Sequence, residues 1–314
     1  MPSVGSLLAP LAGATLIGVI AAWLKLFGQT EARVLSRFVF LVAMPVAVFN
    51  FVVDAPPPEP AYLGMIAGYL AGLTATVGLG FFWIRRFCGA SIQETGAALF
   101  AAICGNAIFL GLPIALGVPG WGPPFLILMV FEGTMTFAIA TALMTWPDKD
   151  HPDQSPVKNA VNAATRAIRN PVVVGMALGF LLMMLGIQLP EMVAAPLDLF
   201  SKIASPLGLF VLGLYLVILP REQTALPTKL LIGLLPLKLI IFPAITAGIT
   251  WVLTSDIALT SAAALFTVVP PAVSSVVLAS SYGFYEKQVA AIVAVGTLIG
   301  MLTVTGFLVI ALGA

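Results

Sequence analysis

The sequence has little charge: only 9% of its 314 residues are Asp, Glu, Lys or Arg. Because a soluble domain usually carries about a quarter charged residues, an ordinary water-exposed surface is excluded. Histidine occurs once, at His151, and no zinc-protease, phosphate-loop or kinase string is present, so we expect neither an enzyme nor a nucleotide-driven motor. The two cysteines, Cys88 and Cys104, predict no disulfide framework. The net charge of +1 gives no reason to expect a nucleic-acid partner.

Apolar residues take the place of the missing charge: 60% of the chain is hydrophobic, and the mean hydropathy is +1.09. These values predict an all-α integral membrane protein. A helix needs about 20 apolar residues to cross the roughly 30 Å hydrocarbon core. Residues 1–25 carry no basic start, so we expect a retained first span there. Ten segments qualify as spans, at 5–24, 34–53, 61–84, 95–117, 121–145, 171–190, 195–219, 231–253, 257–281 and 288–312.

The basic residues alternate between the connections. The connections after odd-numbered spans hold 12 of the 14 Lys and Arg residues, and the other connections and the two termini hold none. Since Lys and Arg favour the cytoplasmic side, both termini are expected outside and the connection at 146–170 inside. Because each half has five spans, an odd number, the second half is expected to cross the membrane in the opposite orientation to the first. The predicted organisation is a five-helix repeat over 1–145, a cytoplasmic loop over 146–170 and an inverted five-helix repeat over 171–314.

Two apolar runs are interrupted at matching places in the two halves. Residues 97–100 and 263–266 both read Ala-Ala-Leu-Phe, 166 positions apart, and each stretch leads into a helix-breaking sequence. The first break follows at Gly105-Asn106 and the second at Pro270-Pro271. Paired breaks of this kind are the best sequence indication of a transporter's substrate site.

The residues around both breaks resemble a known family. Gly-Asn-Ala-Ile-Phe-Leu-Gly-Leu-Pro at 105–113 is similar to the Gly-Asn-x-x-Phe-Leu-Gly-Ile-Pro string of the auxin efflux carrier family of bacterial transporters. Residues 270–283 resemble that family's Pro-Thr-Ala-x-Asn-x-x-x-Leu-Ala-x-x-Tyr-Gly string. Two positions depart from it: Ser274 stands where Asn is expected, and Pro271 where a small polar residue is expected.

The resemblance implies ten transmembrane helices in a 5+5 inverted repeat, with broken fourth and ninth helices that cross near the bilayer midplane. This architecture is related to that of the bile-acid sodium symporters. The resemblance further implies a moving transport bundle of spans 3–5 and 8–10. Spans 1–2 and 6–7 would form a scaffold that could also supply a homodimer surface. The expected location is the inner membrane of a bacterium.

The residues at the breaks predict an anion site. A broken helix leaves backbone N–H and C=O groups that hydrocarbon cannot satisfy, so the break must line a cavity or be buried in protein. The N-terminal ends of half-helices attract anions, and the small neighbours leave room for a compact carboxylate. Neither a metal nor a cofactor is expected. The predicted substrate-binding residues are Gly105, Asn106, Ala107, Pro270, Pro271, Ala272, Ser274 and Ser275.

Polar residues inside the spans are further candidates, because a charge at the bilayer centre is costly. Glu132 lies about 17 Å into the fifth span, where it could carry a coupling proton, bind a cation such as sodium, or pair with a basic residue. Lys238 lies near a cytoplasmic end, and we expect it to extend its amine to the interface. Asn50 is expected to hydrogen-bond between helices, and it remains a secondary site candidate together with Lys238.

These features together predict a secondary transporter of a small organic anion that works by alternating access, coupled to a proton or to sodium. The alternative is a passive channel or a membrane-embedded sensor with the same fold, which would not need an ionisable group such as Glu132. An intramembrane hydrolase is a weaker option, because the only histidine lies outside the spans.

Overall fold

The structure is a computed structural model, which describes residues 4–54, 59–146, 171–218 and 227–313. These residues are helical and contain no β-strand beyond one isolated bridge. Most of the predicted cytoplasmic loop, residues 147–170, and the last residue lie outside the described ranges. In chain order the helices are α1 (Val4–Trp23), α2 (Gln29–Val53), α3 (Tyr62–Cys88), α4 (Ile92–Ile103), α5 (Ala107–Gly117), α6 (Gly122–Met144), α7 (Pro171–Met184), α8 (Glu191–Ile218), α9 (Thr228–Thr254), α10 (Ile257–Val268), α11 (Ser274–Tyr282) and α12 (Glu286–Leu312).

Seven of the described helices are long and apolar enough to cross a membrane. They are α1, α2, α3, α6, α8, α9 and α12. The structure therefore has the all-helical, multi-pass character that the composition predicts. The predicted spans at 95–117 and 257–281 are not continuous helices: each is divided into two shorter helices, α4 with α5 and α10 with α11.

The helix of the predicted sixth span, 171–190, ends earlier than expected. Helix α7 ends at Met184 because the chain turns into a left-handed conformation at Gly186, where φ is +64°. The Gly186 N–H donates to the Met183 carbonyl and the Ile187 N–H to the Leu182 carbonyl, which is a Schellman motif. The apolar run continues past the helix end, so hydropathy alone placed the end of the helix too late in the chain.

The helices pack in two sets. In one set, α1 packs along α8 and α2 packs along α7 and α8. In the other, α3 packs along α9, α4 along α6, and α10 against α9, α6 and α12. In an inverted repeat α1 would correspond to α7 and α2 to α8. The α1–α8 contact would then be equivalent to the α2–α7 contact.

Small residues bring the helices of the first set into close contact. A Cβ atom on Gly213 of α8 would collide with the Thr15 carbonyl of α1, and one on Gly18 of α1 would collide with the Phe210 carbonyl of α8. Without a hydrophobic driving force between helices in lipid, such backbone-to-backbone packing is a main source of helix association.

Candidate functional site

The two helix breaks begin within one residue of equivalent positions. Helix α4 ends at Ile103, and the Cys104 N–H donates the last helical bond to the Phe100 carbonyl at 2.8 Å. Helix α10 ends at Val268, and the Val269 N–H donates to the Leu265 carbonyl at 3.3 Å. Both breaks follow the shared Ala-Ala-Leu-Phe strings by a few residues, as the sequence predicts.

The two breaks pair with each other through their backbones. The Asn106 N–H donates to the Pro270 carbonyl at 2.8 Å, and the Ala272 N–H donates to the Cys104 carbonyl at 3.1 Å. Gly105 and Pro271 form the antiparallel bridge between these bonds. The two bonds are related by the 166-residue offset between the halves. The first donor, Asn106, corresponds to the second donor, Ala272, and the first acceptor, Pro270, corresponds to the second acceptor, Cys104. Each break thus satisfies backbone groups of the other, which removes part of the cost of interrupting a helix in an apolar surrounding.

A cavity of about 90 Å³ lies beside the paired breaks. It is lined by Gly105, Asn106 and Ala107 of the first break and by Ala272, Val273 and Ser274 of the second. A single water needs at least ~10–15 Å³, so the cavity holds several waters or a compact organic ion. Most of the remaining lining is apolar.

Not every predicted site residue reaches this cavity. Pro270 and Pro271 pack instead against Gly300 and Gly296 of α12, where a Cβ would collide with the proline rings. Ser275 is fully buried, and its hydroxyl has no hydrogen-bond partner among the described residues. These three residues therefore shape and support the break rather than line the cavity.

Glu132 of α6 reaches the first break. Its Oε1 atom accepts a hydrogen bond from the Gly105 N–H at 2.9 Å, and its side chain also lines the cavity. The residue is only 7% exposed. Glu132 is therefore a buried carboxyl group in direct contact with the interrupted backbone.

Lys238 does not extend to the membrane interface, and the expectation that it does so is wrong. The side chain is fully buried, and its Nζ atom has no hydrogen-bond partner among the described residues. Nζ lies 5.3 Å from the centre of the Phe242 ring and 3.0 Å from the position that a Cβ on Gly105 would occupy. A π-helical turn at Leu237–Ile241, just after Pro236, rotates this part of α9 so that the lysine points inward.

Asn50 lies elsewhere. It belongs to a separate pocket at the end of α2, which it shares with Asp54 and with Asp198 of α8. Asp198 itself pairs with Lys202 at 2.5 Å, as their i, i+4 spacing predicts.

The apolar wall of the cavity could not be identified from the sequence. Its residues come from α2, α6 and α7 and are ordinary members of apolar spans. Only helix packing shows which face of each span is turned inward. They are Phe40, Met44, Met129, Phe137, Val172 and Met176.

The arrangement is suited to holding an anion. The N-terminal ends of α5 and α11 lie at the cavity, and such ends carry a partial positive charge and free N–H donors. The Asn106 side chain makes no capping hydrogen bond, which leaves its amide for a ligand. The Ser274 hydroxyl lies 3.9 Å from the Cys104 sulfur.

Comparison with known proteins relates the chain to transporters. Residues 4–308 match the family described as "Membrane transport protein". A Rhizobium meliloti (strain 1021) protein named "Putative malonate transporter" is 25% identical over 98% of this chain and 96% of its own. "Uncharacterized transporter YfdV" of Escherichia coli (strain K12) is 26% identical over 94% of this chain and 93% of its own. An "Uncharacterized transporter" of Methanothermobacter thermautotrophicus is 29% identical over 76% of this chain and 75% of its own.

The family match covers nearly the whole chain, including both breaks and all the helices that surround the cavity. The chain therefore belongs to the membrane transport protein family, that of the auxin efflux carriers, and is a multi-pass membrane protein.

Proposed function

We propose that this protein is a secondary transporter that carries a small carboxylate across the bacterial inner membrane by alternating access. The observation that carries the proposal is the cavity at the paired breaks, onto which Asn106, Ser274 and two half-helix N-termini converge. The name of the Rhizobium meliloti relative supports malonate as the first compound to test.

The proposed architecture is a ten-helix, 5+5 inverted repeat with α4–α5 and α10–α11 as its broken fourth and ninth members. The symmetry of the two inter-break hydrogen bonds under the 166-residue offset supports it. The two packing sets support a scaffold of α1, α2, α7 and α8 and a transport bundle of the other helices. Rocking of the bundle against the scaffold would expose the cavity to each side of the membrane in turn. We further propose that both termini lie outside and that the scaffold can form a homodimer.

Uptake of radiolabelled malonate into proteoliposomes tests the function, with other carboxylates as competitors. A carrier shows saturable uptake and counterflow, whereas a channel shows neither. Asn106→Ala removes one hydrogen bond to a charged ligand, worth about 1.5–3 kcal/mol, so the affinity should fall roughly 10- to 150-fold. Asn50→Ala is the matched control, because it removes an amide outside the cavity and should leave the affinity unchanged. Unchanged affinity of a folded Asn106→Ala protein would contradict the proposed site.

A further inference from the structure

Two buried ionisable groups flank the first helix break. Glu132 binds the Gly105 N–H from α6, and the Lys238 ammonium lies against the same glycine from α9. Glu132 is 7% exposed and Lys238 is fully buried. Gly105 lines the same cavity as Glu132, so the lysine lies against a residue of the cavity wall that has no side chain.

The two groups flank the same glycine without forming a direct ion pair. The described residues contain one direct ion pair, Asp198 with Lys202, so Glu132 and Lys238 lie beyond ion-pair distance of each other. The Lys238 amine has no hydrogen-bonded partner among the described residues, so its charged form depends on a counter-charge nearby. The C-terminal ends of α4 and α10 lie beside it and favour a cation, but a full buried charge still needs a full counter-charge.

Other groups near the pair do not supply that counter-charge. The titratable side chains that interact with it are Cys104 at the end of α4 and Tyr69 of α3. Thiols and phenols ionise only above about pH 8, so both are neutral in the physiological range. Glu94 lies at the opposite end of α4, where it caps the first turn. Helices α5, α7, α10 and α11 contribute no charged residue.

We propose that the carboxylate substrate and the Glu132 carboxylate alternate as the counter-charge of Lys238, which makes the protein a proton–anion symporter. This inference rests on the proposed function. In the empty site Glu132 is ionised and balances Lys238. When an anion binds beside Asn106 and Ala107, one proton adds to a Glu132 carboxylate oxygen and the anion balances the lysine. One proton and one carboxylate anion then cross together.

The fixed ammonium also selects the coupling ion. A sodium ion bound at Glu132 would add a second full positive charge close to Lys238, and the two cations would repel each other strongly in this buried place. A proton on Glu132 merely neutralises the carboxylate. The pair therefore favours proton coupling over sodium coupling.

Binding measurements at several pH values test the proposal. The purified full-length protein is titrated calorimetrically with malonate, acetate and succinate between about pH 6.5 and 8.5, in buffers of different ionisation enthalpy. We expect wild-type affinity to fall about tenfold per pH unit once Glu132 is ionised in the empty site, with one proton taken up per anion. Sodium should have no effect. Affinity that is independent of pH, or that requires sodium, would overturn the proposal.

Variants separate the two charges. In Glu132→Gln the affinity should be independent of pH, because glutamine takes up no proton and Lys238 then has no internal counter-charge. The glutamine amide oxygen can still accept the hydrogen bond from the Gly105 N–H. In Lys238→Met the affinity should fall at least tenfold at every pH. The double variant has no buried charge, so it controls for a folding defect of either single variant.

Two exposed residues provide matched controls. Glu31 accepts a hydrogen bond from the Gly28 N–H at 2.9 Å, as Glu132 does from Gly105 but on an exposed site. Lys202 is an exposed lysine of α8. Glu31→Gln and Lys202→Met should behave like the wild type. If the affinity of Glu132→Gln changed with pH as steeply as that of the wild type, the coupling role alone would be overturned. If the wild-type protein bound none of malonate, acetate and succinate at any pH, the proposed function itself would be contradicted.

Discussion

At the scale of the residue, Gly105 is the position on which the site depends. A Cβ there would come within 2.6 Å of the Val269 Cγ2 atom and 3.0 Å of the Lys238 Nζ atom. The residue also donates its N–H to Glu132 and forms the bridge to Pro271. Glycine is thus required by the close approach of three elements, and any side chain would separate them.

Gly105→Ala is therefore expected to lower stability by about 1–3 kcal/mol, the usual effect of adding atoms to a tightly packed site. Carboxylate binding should weaken as well, because the lysine is displaced. Thermal unfolding in detergent measures the first effect and calorimetric titration the second. Gly78→Ala in α3 is the control: a Cβ there meets nothing within 4 Å, so the better helix propensity of alanine should leave stability equal or higher. Equal behaviour of the two variants would show that the crossing is loosely packed.

At the scale of the element, each broken helix is well defined at its outer end and interrupted at its inner end. Ser91 and Glu94 form a capping box at the start of α4, and Asp256 caps α10 by accepting from the N–H groups of Ala258 and Leu259. The inner ends have no such caps. Some of the backbone groups beside them are satisfied by the partner break, so neither interruption is independent of the other.

Pro270→Ala restores an N–H donor and allows α10 to extend toward the break. We expect at least a tenfold loss of transport rate, because an extended α10 would disturb the bond from Asn106 to the carbonyl of residue 270. Proteoliposome uptake measures the rate, and the amount of folded protein is checked by size-exclusion chromatography. Pro10→Ala, which removes a proline inside α1, should leave the rate unchanged. A wild-type rate in Pro270→Ala would mean that Pro271 and the bridge hold the break open without Pro270.

At the scale of the whole molecule, helix packing joins the two halves of the chain. The two helix sets interleave the halves: α1 contacts α8 and α2 contacts α7, while the breaks of both halves meet in the second set. Under the proposed inverted repeat the α1–α8 and α2–α7 contacts are equivalent, and the alternation of basic residues predicts that the halves enter the membrane in opposite directions.

Labelling of single cysteines in intact cells tests this orientation. With Cys88 and Cys104 replaced by serine, Ser155→Cys in the central loop should resist a membrane-impermeant thiol reagent. Gln188→Cys, after α7, and Ala314→Cys should react. All three should react once the cells are permeabilised, which controls for accessibility of the thiol. The opposite labelling pattern would overturn the inverted arrangement.

The sequence by itself determined the membrane environment, most of the spans and the positions of both breaks. These features follow from local physics: apolar length, the helix-breaking action of Gly-Asn and Pro-Pro, and the energetic preference of charge for water. The family strings at the breaks likewise pointed to the family that residues 4–308 match. The shortened α7 is a local error, because a glycine C-cap within an apolar run is invisible to hydropathy.

Only the tertiary structure decided which residues meet. In the structure, Lys238 points inward at a π-helical turn and Asn50 lies in another pocket. Pro270, Pro271 and Ser275 support the break and do not line the cavity. The tertiary structure also supplied the apolar wall from α2, α6 and α7. In a helix that is apolar on every side, periodicity does not distinguish the face toward lipid from the face toward protein. Contacts between residues more than a hundred positions apart make that choice, because they depend on how the helices pack.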